Sequence, residues 1–218
     1  MQARFVSALA RASLGLALLA PSLTLAPRAL AATWEIDPAH SSVQFSVRHM
    51  TISNVQGEFG KVTGSAEADE QDLTRSKVEA TIDVSTINTR QAKRDEHLKS
   101  ADFLDVAKYP TITFRSTRAE AAGAGKWKLH GDLTLHGVTR QVVLDVDGPT
   151  PEMKDPSGRV RAGAHATATI NRKDFGILWD KKLDGGGLLV GDEIAVTIDV
   201  EAIKKLSVAA TTTTGDQR

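Results

Sequence analysis

The chain has 218 residues, with 27 Lys and Arg against 27 Asp and Glu, and no cysteine. A balanced charge excludes the basic footprint that non-specific nucleic-acid or anionic-membrane binding requires. The missing cysteines exclude thiol catalysis, cysteine-based zinc sites and disulfide support.

The first 31 residues read as a leader. Arg4 and Arg11 precede an apolar run from Ala12 to Leu25, and Ala29-Leu30-Ala31 places small residues where a signal peptidase cuts. The run is too short, and too interrupted by Pro21, to span a membrane of about 20 residues' thickness. Cleavage after Ala31 removes Arg4, Arg11 and Arg28 and leaves a slightly acidic remainder, large enough for one domain with its own core. Export without disulfides points to the Gram-negative periplasm, with secretion as the alternative, and no stable membrane insertion follows removal of the leader.

The remainder is written mainly in two-residue alternation. Val43, Phe45 and Val47 alternate with polar residues, as do Val78, Ala80, Ile82 and Val84, then Val142, Leu144 and Val146, then Ile194, Val196, Ile198 and Val200. Each pattern predicts a strand with one face in a core and one in water. Residues 54–68, 111–120, 126–135 and 159–171 bring the number to about eight. Ala122–Gly125 and His136-Gly137 carry hairpin turn chemistry, Gly148–Gly158 is a longer proline-containing loop, and Asp184–Gly187 lies in another. The segment 206–218, with its threonine run, reads as a disordered tail.

Eight hairpin-linked strands make a sandwich or a barrel. On one face of residues 159–171 stand Ala162, Ala164, Ala166 and Ala168, poor strand formers that are not there for propensity. They either make room for a facing sheet or leave space inside a barrel, whose eight-stranded interior can hold one small ligand. Period changes only in the segment around residues 89–109. There a charged cluster, Arg94 to Lys99, gives way to Phe103, Leu104, Val106 and Tyr109, which predicts a short helical insert covering part of the sheet.

Catalytic patterns are sparse. The six histidines form no HExxH or other close pair, no G-x-S-x-G elbow surrounds a serine, and no phosphate-binding glycine loop occurs. No catalytic residue, no metal site and no cofactor is expected. A hydrolase assembled from scattered His, Ser and Asp at a barrel mouth, and a structural or partner-binding barrel with a filled core, are the alternatives.

Several blocks in order resemble the YceI-like family of exported lipid- (polyisoprenoid-) binding proteins. They are Trp34–Met50, Val55–Phe59, Arg94–Phe103 with Tyr109–Phe114, Gly131–Arg140, Asn171–Gly176 and Val190–Ile194. The resemblance implies an all-β, eight-stranded antiparallel lipocalin-like barrel over residues 32–205, with an apolar lumen that binds a long isoprenoid or other long-chain amphiphilic lipid. It implies that Phe45, Val47, Ile82, Phe114, Leu133, Ala164, Ala166 and Ile198 face the ligand. Phe103, Leu104 and Tyr109 would close one end, and Arg94, His97 and Arg172 are the head-group candidates. Exposed strand surfaces are compatible with a homodimer, and no nucleic-acid partner is expected.

Overall fold

The computed structural model describes residues 31–205 apart from 182, 185 and 186. The expected leader (save its last residue), the expected tail, and Gly185 and Gly186 of the expected loop lie outside the described residues.

The architecture is a closed antiparallel barrel with one short helix. Its first three staves are each made of two strands. β1 (Ala32–Ile36) and β2 (Ser42–His49) form one stave, β3 (Ser53–Phe59) and β4 (Val62–Ala68) the next, and β5 (Lys77–Asp83) with β6 (Ile87–Asn88) the third. Then come α1 (Ala92–Lys99), β7 (Thr111–Gly123), β8 (Lys126–Leu135), β9 (Val138–Asp147), the two-residue β10 (Met153–Lys154), β11 (Val160–Asn171) and β12 (Val190–Lys204). Each stave hydrogen-bonds its sequence neighbour, and β12 closes the ring. One edge of β12 pairs with β11 along Glu193–Ile203; the other pairs with β2 and, further on, with β1. The eight expected strands are these eight staves, and β10 is a short appendage on β11.

Two differences from the sequence reading have physical causes. Residues 54–68 were expected as one strand but break at Gly60-Lys61, because β3 pairs with β2 and β6 while β4 pairs with β1 and β5. β1, not anticipated as a strand, completes the first stave, with Trp34 and Ile36 buried and Thr33 and Glu35 outside.

The two ends of the barrel differ. At one end lie the β2–β3 hairpin, residues 84–110, the β8–β9 turn and the described residues of 172–189; this is the insert end. The far end carries the β4–β5 link, the β7–β8 turn, the loop between β9 and β11, and both described termini. The insert end is packed solid: Phe59, Val84, Ile87, Phe103, Phe175 and Ile177 are all buried in one cluster. α1 has no buried residue of its own. Gln91 caps it by accepting from Arg94 N at 2.7 Å, and it reaches the cluster through Leu98. Among the described residues no helix is long and apolar enough to cross a membrane.

Outside the far end, Arg161 fastens the break in the first stave. Its guanidinium donates to Asp37 at 2.7 Å, to Asp155 at 2.8 Å and to Glu201, so the β1–β2 break, the β9–β11 loop and β12 are tied at one point. Arg161 in first place, then His40, holds the Asp37 carboxyl well below the usual carboxylate range, and Arg161 lowers that of Asp155 to about 2. Both carboxylates therefore bind protons less readily folded than unfolded. Their stabilisation is complete above about pH 4 and is lost as pH falls through the depressed values. The melting temperature is expected to drop between pH 4 and 2, with much of that slope gone in Arg161→Met; equal slopes in both proteins would show that the cluster does not couple.

Two lumen phenylalanines lie across glycines of neighbouring strands. A Cβ on Gly57 would come within 2.4 Å of Phe45 Cζ, and one on Gly131 within 2.4 Å of Phe114 Cζ. Gly131→Val is expected to cost about 1–3 kcal/mol by overpacking, read by urea unfolding, and Phe114→Leu should restore part of the loss.

Candidate functional site

The barrel encloses a cavity of about 530 Å³, within the range of about 300–1,000 Å³ typical of small-molecule sites. Alternation puts it there: Val78, Ala80 and Ile82 face in, as do Val142, Leu144 and Val146, and Ile194 to Ala202 at every second position. A bulge between Ser116 and Arg118 shifts β7's inward positions from Ile112 and Phe114 to Ala119. The alanine stripe Ala162–Ala168 forms one wall. Of the two readings left open for it, the space is inside the barrel, and the filled-core alternative does not fit this interior.

Of the residues singled out from sequence, Phe45, Val47, Ile82, Phe103, Leu104, Phe114, Leu133, Ala164, Ala166, Ile198 and Arg172 border the cavity. Arg94, His97 and Tyr109 do not, and their polar groups are committed elsewhere. Arg94 Nε donates to Thr89 Oγ1 at 2.7 Å and Nη2 to the Thr89 carbonyl at 2.6 Å, while Asp95 accepts from the Thr89 backbone N–H. His97 donates to Asp102 at 2.9 Å and sets its ring edgewise against Phe103 and Trp179. Tyr109 packs over Gly137 and against His136. These three residues hold the insert together.

Arg172 borders the cavity, yet its donors are spent on the backbone carbonyls of Ile177, Trp179, Val190 and Gly191 and on the Asp192 carboxylate. Nε donates to Gly191 O at 3.0 Å, Nη1 to Ile177 O and Trp179 O at 2.8 and 2.7 Å, and Nη2 to Asp192 at 3.0 Å. It fastens Ile177 and Trp179 to Val190–Asp192 at the insert end.

Sequence reasoning missed Trp34, Val62, Ala119, Trp127 and Leu144, all of which border the cavity. Leu144 stands in the middle of the alternating stripe Val142, Leu144 and Val146, and assigning that whole stripe to the lumen would have found it. Ala119 needed the bulge. Sequence reasoning also missed the polar border at the far end, where Glu70, Ser76, Thr150 and Glu152 meet the lumen. There Lys204 Nζ donates to Glu70 at 2.7 Å and to Glu152 at 2.9 Å, and lies over the Trp34 ring. Glu70 and then Glu152 hold its ammonium pKa above the ordinary lysine value.

The lumen lining is dominated by aliphatic and aromatic side chains. Among the described residues no histidine borders it. Asp37, His40 and Glu201 bring their ligand atoms within 4.8 Å of one another, but the Arg161 guanidinium already bridges Asp37 and Glu201 and supplies the positive charge a metal would bring.

With this geometry in hand, the comparison with known proteins is decisive: residues 34–202 match the YceI-like domain. The chain belongs to the YceI-like family. A UPF0312 protein of Pseudomonas aeruginosa is 37% identical over 189 residues, covering 86% of this chain and 95% of that one. The crystal structure of the Campylobacter jejuni YceI protein, 31% identical, superposes with a TM-score of 0.61 over 72% of this chain and 90% of that one. A Saccharophagus degradans structure described as a polyisoprenoid binding domain shares the fold, at 16% identity and a TM-score of 0.57 over 81% of this chain and 99% of that one. The chain thus shares its barrel fold with both solved structures.

Because Arg172 holds five backbone and side-chain acceptors, Arg172→Lys cannot replace it. The variant is expected to lose about 3 kcal/mol of stability and to exchange amide protons faster over residues 187–192. Unchanged exchange with altered ligand selectivity would return Arg172 to the head-group role.

Proposed function

We propose that this YceI-like protein binds one long-chain isoprenoid, or a similar amphiphilic lipid, in its barrel lumen without chemical turnover, acting in the periplasm after loss of residues 1–31. The observation that carries the reading is the lumen itself. Its walls are aliphatic and aromatic along their length, and burying hydrocarbon gains about 0.8 kcal/mol per CH₂ group, so affinity needs no polar constellation. Phe45, Phe114 and Trp127 interrupt the aliphatic walls with flat rings, while Ala162–Ala168 leave clearance along another wall. A methyl-branched, semi-rigid chain suits such a profile. The binding described for the Saccharophagus degradans domain supports the same ligand class. Carriage, storage and sensing all use this complex.

Protein purified from the periplasm of a Gram-negative host is expected to carry lipid, seen as a mass excess by native mass spectrometry and identified after organic extraction. Ala164→Trp with Ala166→Trp fills the lumen and should abolish both the excess and the uptake of an apolar fluorescent probe, with the β-sheet circular dichroism kept. Wild-type protein that is repeatedly empty and takes up no polyprenyl lipid would sink the proposal.

A further inference from the structure

The lumen is polar at one end only, and that end is opposite the helical insert. At the insert end Leu98, Phe103, Leu104 and Ile177 form an apolar floor, and Arg172, the polar side chain beside them, has its donors engaged by the protein. Of the residues bordering the cavity, the exposed ones are Ser65, Glu70, Pro149, Thr150 and Glu152. Ser65 is on the outer parity of β4; the other four belong to the far end, so solvent meets the lumen there.

The chemistry of that mouth is specific. Thr150 Oγ1 accepts from Gly163 N at 2.9 Å and Ser76 Oγ accepts from Asp69 N at 3.1 Å, which leaves each hydroxyl hydrogen free to donate. Glu70 and Glu152 offer carboxylate oxygens. The cation between them, Lys204, is shared by both carboxylates and lies on Trp34. The trio carries one net negative charge. A hydroxyl, carbonyl or amide head finds donors and acceptors here, whereas a phosphate meets two carboxylates and a lysine already neutralised by them.

We propose that the bound lipid lies with its tail on the insert-end floor and its head at the far-end mouth, and that the mouth selects a neutral, hydrogen-bonding head over a phosphate. This rests on the lipid-binding reading above and adds direction and head-group class to it.

The cysteine-free chain allows a direct test. Thr150→Cys at the mouth and Ser100→Cys beside the insert are each labelled with a fluorophore and titrated with a polyprenol bearing a nitroxide at its head. Quenching is expected several-fold stronger at position 150; stronger or equal quenching at position 100 would overturn the orientation. In parallel, a polyprenol and the polyprenyl monophosphate of the same length compete against an apolar probe. The phosphate is expected to bind about ten-fold more weakly, the scale of a screened like-charge repulsion, and the ratio of the two affinities should approach one in Glu70→Gln/Glu152→Gln. Equal affinities in the wild type, or a gap untouched by the substitutions, would overturn the selectivity. If neither isoprenoid displaces the probe, the lipid-binding reading itself fails and this inference falls with it.

Discussion

Ring closure by β12 is the constraint on which everything else depends. A sheet of this length left open would present two unpaired edges and collapse its apolar face against something else. β12 prevents this by pairing along one edge with β11 and along the other with both halves of the first stave. Once the backbone is satisfied around the ring, inward side chains no longer have to fill the interior to stabilise it. Alanines can then stand where a sandwich would demand large residues, and an apolar space persists at the centre.

The two barrel ends divide the work. Stability is concentrated at the insert end, where broken staves, α1 and the Arg172-fastened segment surround one buried cluster. The far end is held electrostatically, by Arg161 outside and Lys204 at the mouth. A dry floor and a wet rim give the cavity a polarity matched to an amphiphile. Charge seen near the insert in sequence is therefore structural: Arg94 and Asp95 organise Thr89, and His97 supports Phe103.

How much of this was legible follows from range. Residues 126–135 and 194–201 announced themselves because parity is local and unbroken, and the lumen walls came with them. The insert was visible as a change of period. Residues 54–68 concealed their break, because only the partners on either side impose it. Arg172 looked like a free cation since its acceptors, the carbonyls of Ile177, Trp179 and Gly191, are not written in side chains. The mouth left no local trace: Lys204 meets Glu70 and Glu152 across 134 and 52 residues of sequence.

The seams of the ring are not equally strong. β11 and β12 pair from Arg161/Ile203 to Asn171/Glu193, while β9 and β11 pair only from Asp147/His165 to Asp145/Thr167. Beyond that short ladder no further pairing joins β9 to β11 among the described residues, and Val142 on one side and Ala168 and Ile170 on the other border the cavity. Radial stiffness is therefore uneven around the circumference. The barrel is rigid where β12 locks it and compliant along one longitudinal line, so its bore has a definite direction in which to widen.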